Sequence, residues 1–566
     1  MINKKGAILP FILFALGFSF LAVRLFFIQV WEHEILKKKV DQISVRERSE
    51  SSLRGSIFDR FGRVLTVSSK VYTYFADPKI CKGLKEISAG LKKLNINFNN
   101  RSVKWNKDSS YVPLLKNIDG ETMQRIKSLE IKGTGFTTEY IRKYTEDRMA
   151  CHLIGVVGVS GLGLSGIEFS KNKELIGDKY NIYNFRDGLG REIPETFVKS
   201  KELKGFDVYL TIDKNLQFIA EKEIENAYNS LHPQKAMVII QDPNSGEILA
   251  MASRPNFNQY DFSKNKESLK NYAVSDIFEP GSTFKIVTIT AALEENIAKP
   301  TDTIYCEDGQ YVLYDHSIKD HEKKGSLTVN EIMEYSSNIG TAKLGQKLGK
   351  EKLFQYIRQF GFNNKTGVDL PGETKGMLNP PEKWSGLSVA ALSFGQEIGV
   401  TALQMINAYS AVANGGILLE PKVVKSVKGP SVMKEDFEVR TIRRVARPEV
   451  IREIQRMLVN VVEKGTGQNA KIYGYRVGGK TGTAQKKDSK TNQYSSTAFV
   501  SSFCGIVPMS SPKLTILVVL DEPKGDYWGS STAAPIFRKI ASQAVRYLKI
   551  APDAEITQSN NKKLNS

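Results

Sequence analysis

Cysteine and histidine are scarce in this 566-residue sequence, and their scarcity removes several kinds of protein at once. The four cysteines, Cys81, Cys151, Cys306 and Cys504, are scattered with no C-x-x-C spacing, so they form neither a disulfide framework nor a zinc site. The five histidines are equally dispersed. His316 and His321 share a polar, Asp- and Lys-rich stretch, but too few ligand types flank them to argue for a metal. Also missing are RNA-binding signatures, zinc-finger spacings and helix-turn-helix patterns, so a nucleic-acid partner has no support despite a formal net charge of +19. That charge suits a solvated basic surface, an anionic lipid or a cell-wall polymer equally well.

What is present begins with one long apolar run. From Ala7 to Val23 the chain reads AILPFILFALGFSFLAV, and after Arg24 it continues LFFIQVW to Trp31. Crossing a bilayer takes roughly 20 apolar residues, so this run is long enough. No small-x-small cleavage site follows it, and an uncleaved signal-anchor is expected over residues 7–31. Lys4 and Lys5 before the run and Lys37, Lys38 and Lys39 after it leave its orientation undecided by charge. Hydrophobic residues make up 41% of the chain and charged residues 25%, a globular composition, and the length calls for two or three domains.

Beyond the anchor, RGSIFDRFGRVL (54–65) places a turn between two short apolar runs and predicts a hairpin. Residues 70–200 mix short strand-like and helical runs, with turn-rich GLSGIE (163–168) and RDGLGREIP (186–194). The texture changes at Gly205. DVYLTID (207–213) alternates as a strand, and Asp213 can cap the helix that follows. KAMVIIQDPNSGEILAMAS then predicts two strands joined by a tight turn. A long helical middle is expected from Ser282 to about Asn414, and strand-like runs return in RVGGKTGTAQ, STAFVSSFCGIVP and KLTILVVLDE. Strands, then helices, then strands imply an α+β domain whose sheet joins distant parts of the chain. The tail after about Ile550 is polar and predicted to be disordered.

Three short motifs carry the chemistry. In EPGSTFK (279–285) Pro280-Gly281 breaks the chain, Ser282 opens a helix, and Lys285 falls one turn later on the same face. That is a nucleophile beside a base, although a serine there can equally be a plain cap. Ser336-Ser337-Asn338 lies at a break between two helical runs. Lys480-Thr481-Gly482-Thr483 lies in a strand-like run whose glycines let a ligand approach the backbone closely. A second Lys-Thr-Gly at Lys365 sits in a loop with no strand neighbours and is set aside. Each motif alone is near chance; the ordered set on helix, loop and strand is not.

With these motifs in that order, the sequence resembles the class B penicillin-binding proteins over nearly its whole length. The matching pieces are the anchor, RGSIFDRFGRVL, GLSGIE, RDGLGREIP, LTIDKNLQ, DPNSGEILAMAS, EPGSTFK, SSN, SFGQEIGVTALQ, AVANGG and GGKTGT. The resemblance implies an orientation, with residues 1–6 cytoplasmic and everything after the single span outside the bacterial plasma membrane. It implies an elongated, non-catalytic pedestal or dimerisation domain over 32–204. A penicillin-binding transpeptidase domain would follow over 205–549, with an antiparallel sheet, helices on both sides and an all-helical subdomain, and a tail over 550–566. Residues 32–200 look like no glycosyltransferase domain of the class A relatives. GLSGIE and SFGQEIGVTALQ look more like the cell-division subgroup than the elongation subgroup. Glu397 departs from the family, which usually has glycine before that isoleucine.

The resemblance also implies the reaction. Ser282 would attack the penultimate D-Ala of a D-Ala-D-Ala stem peptide, form an acyl-enzyme and pass the acyl group to an amine of a neighbouring stem. Lys285 would be the base, its pKa lowered by desolvation or by nearby positive charge, with Lys480 the natural source of that charge. Ser336 would carry the proton to the leaving amine, and Asn338 would bond Lys285 and the substrate amide. Thr481 and Thr483, with Lys480 and the close approach allowed by Gly482, would hold the terminal carboxylate. The backbone N–H groups of Ser282 and Thr483 would form the oxyanion hole. No cofactor or metal is called for. The expected partners are stem peptides, β-lactam antibiotics, a SEDS-type glycosyltransferase and other membrane proteins of the division complex. A β-lactamase is disfavoured by the N-terminal half and by the lack of a Glu-x-x-Leu-Asn element. A lapsed, non-catalytic scaffold is disfavoured by the intact motifs.

Overall fold

The computed structural model describes residues 8–37, 45–51, 53–146, 148–176, 179–185, 204–262, 266–314, 316–429, 433–487 and 493–554. The apolar run is helical from Ile8 to Phe26 and continues as a π-helical turn over Phe27–Trp31, with no residue buried against the rest of the chain. RDGLGREIP lies outside the described residues, as do residues 1–6.

Compactness divides the chain into Met1–Arg54 with Ile176–Gly205, and Gly55–Leu175 with Phe206–Ser566. The first unit holds the apolar helix and a ribbon of Val45–Ser51 antiparallel to Lys179–Phe185. The second holds everything that positions the three motifs, including residues 55–175.

Within the second unit, RGSIFDRFGRVL forms its hairpin. Ile57–Phe58 pairs antiparallel with Val64–Ala76, and Asp59 closes the turn by accepting from Phe61 N at 2.9 Å and Arg63 N at 2.8 Å. Arg63 then bridges this turn to Asp213 at 2.8 Å, and Asp213 caps helix Lys214–Leu231 through Asn215 N. Strand Asp207–Leu210 runs parallel to Ile57–Phe58 and joins a seven-stranded sheet with Val64–Ala76, Val112–Ile118 and Thr134–Tyr144 on one side. On its other side are Val424–Lys428 and Met433–Asp436, over two hundred residues away in the chain. The GLSGIE segment is tied to this sheet by Glu168, fully buried, which accepts from Arg142 Nε at 2.6 Å.

The sheet that carries the chemistry has five antiparallel strands in the order Gly478–Lys487, Tyr494–Val507, Leu514–Asp521, Lys235–Gln241, Ile248–Arg254. Two-residue periodicity splits its side chains between two cores. Met237, Ile239, Leu517 and Val519 face one core with helices Lys285–Glu294, Ala402–Ala413 and Pro448–Glu463. Ala236, Val238, Ile516 and Val518 face the other with helices Lys214–Leu231 and Ala533–Tyr547. Helices therefore cover both faces, and strands from both ends of the domain meet in one sheet.

The expected helical middle needs one amendment. Two antiparallel ribbons interrupt it, Thr303–Tyr305 with Ser326–Thr328 and Gln310–Leu313 with His316–Lys319. The tail needs another. Residues 550–554 are ordered, with the Asp553 carboxylate accepting from Arg476 N at 2.6 Å and Ser510 N at 3.1 Å. The rest of the tail lies outside the described residues.

Candidate active site

Ser282 stands in a 3-10 turn, Gly281–Phe284, and the α-helix proper begins at Lys285. Neither start is capped by a side chain, so Ser282 is not a capping serine. The turn is held by its backbone. Gly281 N donates to Gly395 O at 3.0 Å, Thr283 Oγ1 to Pro280 O at 2.8 Å, and Tyr409 Oη to Thr283 O at 2.9 Å. Gly281 takes a φ of +55°, a left-handed conformation that glycine adopts without cost. Ser282 is half-buried and opens onto a cleft of about 480 Å³ whose walls include Ser336, Asn338, Thr466, Thr481, Thr483 and Trp528.

Lys285 is fully buried on the first turn of its helix. Its Nζ donates to Ser336 O at 2.5 Å, Ser336 Oγ at 3.1 Å and Asn338 Oδ1 at 2.8 Å. Both Ser336 oxygens reach it because Ser336 has a φ of +62°, a conformation a non-glycine residue keeps only when its surroundings impose it. Burial pushes the Lys285 amine down to about 7, against the opposing pull of Asp320 and Cys306. Burial is the largest cause of the low Lys285 value, and Lys480 is pushed far down by its own burial and by repulsion between the two amines, which acts on both.

Lys480 is also fully buried. Its Nζ lies 3.3 Å from Thr481 O, 3.4 Å from Thr481 Oγ1 and 3.5 Å from Thr466 Oγ1, two hydroxyls of the cleft wall. Thr481 and Thr466 hydroxyls share a 3.0 Å hydrogen bond. Thr483 Oγ1 accepts from Gly529 N at 3.0 Å, which leaves its own proton to donate. A Cβ at Gly482 would stand 2.4 Å from Ser502 Oγ and 2.9 Å from Pro280 O. The glycine lets the strand press against the Ser282 turn.

The structure thus gathers Ser282, Lys285, Ser336, Asn338, Thr481, Gly482 and Thr483 around one cleft, with Lys480 bonded to its wall at Thr481. The second Lys-Thr-Gly is elsewhere in a loop, where Thr366 bonds Glu373 through both N and Oγ1 at 2.6 Å. Sequence reasoning missed Thr466, Trp528 and Asp320. Asp320 accepts from Ser337 Oγ at 2.5 Å, Asn338 N at 2.6 Å and Ile339 N at 3.0 Å, and no local pattern in IKDHE marks it out. His321 rests against the Trp528 ring at 4.4 Å, and among the described residues no group of three His, Cys, Asp or Glu side chains is placed to hold a metal. Glu397, the departure from the family, has a φ of +60°. Glycine is the residue that fits such a backbone freely.

Comparison with known proteins now joins this geometry. Residues 236–542 match the penicillin binding protein transpeptidase domain, and residues 49–210 match the penicillin-binding protein dimerisation domain. The chain is 35% identical over 514 residues to stage V sporulation protein D of Bacillus subtilis, covering 88% of this chain and 79% of that one. It is 31% identical over 557 residues to the peptidoglycan D,D-transpeptidase FtsI of Escherichia coli K12, covering 96% and 92%. Among solved structures it is similar to penicillin binding protein 3 of Mycobacterium tuberculosis complexed with aztreonam. That likeness has a TM-score of 0.71 and 26% identity, over 90% of this chain and 99% of that one.

Proposed function

The chain belongs to the class B penicillin-binding proteins, and on that premise we propose that Ser282 is the residue acylated in its transpeptidase reaction. The enzyme is a serine-type peptidoglycan D,D-transpeptidase. One observation supports the residue assignment above the rest: a fully buried lysine with its amine near 7, on the turn that follows Ser282, bonded to both other polar residues of the Ser-x-Asn motif.

In this reading the neutral Lys285 amine accepts the Ser282 proton as Oγ attacks the carbonyl of the penultimate D-Ala. An amine of pKa about 7 is about half neutral at pH 7, where an ordinary lysine is almost wholly charged. The proton then passes through the Ser336 hydroxyl to the departing D-Ala nitrogen as the C–N bond breaks. The acyl-enzyme is resolved when an amine from a second stem attacks and Ser282 leaves with a returned proton. Thr481 and Thr483 hydroxyls, with Lys480 bonded to Thr481 Oγ1, receive the terminal carboxylate. The backbone N–H groups of Ser282 and Thr483 stabilise the oxyanion. Asn338 divides its amide between Lys285 and the substrate.

The site serves septal wall synthesis, a role drawn from likeness to the transpeptidase FtsI, with a SEDS-type polymerase and other division proteins as partners. The apolar helix Ile8–Trp31 anchors the chain in the plasma membrane with its N-terminus cytoplasmic. A role in spore formation is the second reading, favoured by likeness to the stage V sporulation protein, and an elongation role is the third. Imaging a tagged copy separates them by placing it at septa, forespores or side walls.

A β-lactam tests the nucleophile, because it offers a strained amide and a carboxylate to the same groups. Intact mass should rise by one penicillin, and peptide mapping should place the adduct in EPGSTFK. Ser282→Ala should abolish labelling while the protein stays folded. Labelling that survives, or that maps to Ser336, would overturn the assignment.

A further inference from the structure

Nothing in the three motifs accounts for how Ser336 and Asn338 are kept aimed at Lys285. Ser336 holds a left-handed φ of +62°, which costs on the order of 1 kcal/mol or more and needs an outside restraint. The Ser337 hydroxyl accepts from Gly340 N at 2.9 Å and so caps helix Asn338–Leu348. A side chain from another element completes this start. Asp320, which follows the ribbon strand His316–Lys319, places one carboxylate oxygen on Ser337 Oγ at 2.5 Å. The other accepts from Asn338 N at 2.6 Å and Ile339 N at 3.0 Å. The carboxylate therefore sits on the first-turn N–H groups, where the helix dipole also favours an anion. The preceding carbonyl, Lys319 O, accepts from Asn338 Nδ2 at 3.0 Å, which turns Asn338 Oδ1 toward the lysine.

We propose that Asp320 is a positioning residue of the transpeptidase: it clamps the Ser337–Ile339 backbone and thereby fixes the Ser336 and Asn338 oxygens on the Lys285 amine. The proposal rests on the reading of Lys285 as the base. It explains why a ribbon inserted in the helical middle ends beside the cleft: its last residues supply the clamp.

The same carboxylate acts on Lys285 by charge and favours its protonated form. Of the other groups that interact with Lys285, burial pushes the Cys306 thiol up and so keeps it neutral, and Lys480 is a second buried amine. Lys343 faces Cys306 in turn, and Lys319 and His321 flank Asp320 in the chain. Removing the Asp320 charge therefore lowers the pH at which Lys285 gives up its proton.

The test is the second-order rate of acylation by a fluorescent penicillin, measured against pH on the full chain in detergent. Asp320→Asn keeps an acceptor for Asn338 N and Ile339 N, loses the charge, and faces the Ser337 hydroxyl with an amide donor in place of a carboxylate acceptor. Its ascending limb should move to lower pH, with Ser282 still the labelled residue. Asp320→Ala loses the clamp, and its rate should fall at least about tenfold at every pH, since small misplacements of reacting groups are costly. A purely structural role would lower stability without moving the limb. An Asn variant superimposable on the parent profile, or an Ala variant acylated at the parent rate, would overturn the proposal. Lys285→Ala is the control for the reading beneath it: full-rate acylation there would remove the base itself, whatever Asp320 does.

Discussion

Lys285, on a helix, and Lys480, on a strand, are two fully buried lysines, and each is expensive. Bringing an amine from 10.5 to about 7 by burial corresponds to about 5 kcal/mol of lost ammonium solvation at 1.36 kcal/mol per decade of acidity. The fold carries that cost where a neutral amine is needed beside a serine. Two left-handed residues add to it. Ser336 is repaid by the contacts of both its oxygens with Lys285. Glu397, at +60°, donates its backbone N–H to Glu279 Oε1 at 3.2 Å, and its carboxylate acts on Tyr494 by charge. Glu397→Gly should therefore stabilise the protein by about 1 kcal/mol, the usual penalty of that conformation for a side-chain-bearing residue. A higher urea midpoint for the variant is the expected result; a lower one would mean the side chain earns its place by contacts outside the described residues.

At the scale of elements, the site is a seam where the strand Gly478–Lys487 meets the turn Gly281–Phe284. Gly482 fits against Pro280 O, and Gly281 in turn lies where a Cβ would meet Thr483 O at 3.2 Å. Glycines on both sides of the seam bring the Ser282 and Thr483 backbones together, as an oxyanion hole between them requires. Gly482→Ala should leave the five-stranded sheet intact but lever the strand off the turn, because Pro280 O is backbone and cannot swing aside. Acylation should slow by about a hundredfold, the scale of a displacement near 1 Å. Near-normal acylation with unchanged far-ultraviolet circular dichroism would show that the seam tolerates the extra methyl.

For the whole molecule, the apolar helix Ile8–Trp31 contributes nothing to either core of the catalytic sheet. Deleting residues 1–36 should give a protein that stays in the supernatant without detergent and still takes up one penicillin. Sedimentation with membranes would point to a second attachment. The seven-stranded sheet would not survive removal of the residues before 205 so easily. Strand Asp207–Leu210 pairs with both Ile57–Phe58 and Val424–Lys428, so a protein begun at residue 205 loses a neighbour of its first strand.

Much of this was readable in the chain because it depends on local chemistry. Pro280-Gly281 before an apolar helix, Asp-Pro-Asn-Ser-Gly between two β-rich runs, and Asp213 before its helix each specify a turn or cap within a few residues. The family follows from motif order, and so does the proximity of Ser282, Lys285 and the Ser-x-Asn and Lys-Thr-Gly residues at one cleft. Tertiary structure alone decided what depends on environment. Whether desolvation or a second lysine depresses Lys285 turns on which groups surround it, and spacing does not encode burial. That Gly482 serves the nucleophile's turn, and that Asp320 clamps Ser337–Ile339, are contacts between segments far apart in the chain. The ribbon ending at Lys319 is too short and too polar to announce itself by periodicity, yet it delivers that carboxylate. Local sequence determines which groups carry the reaction, and only packing determines their protonation and aim, because solvation and geometry are properties of the assembled core.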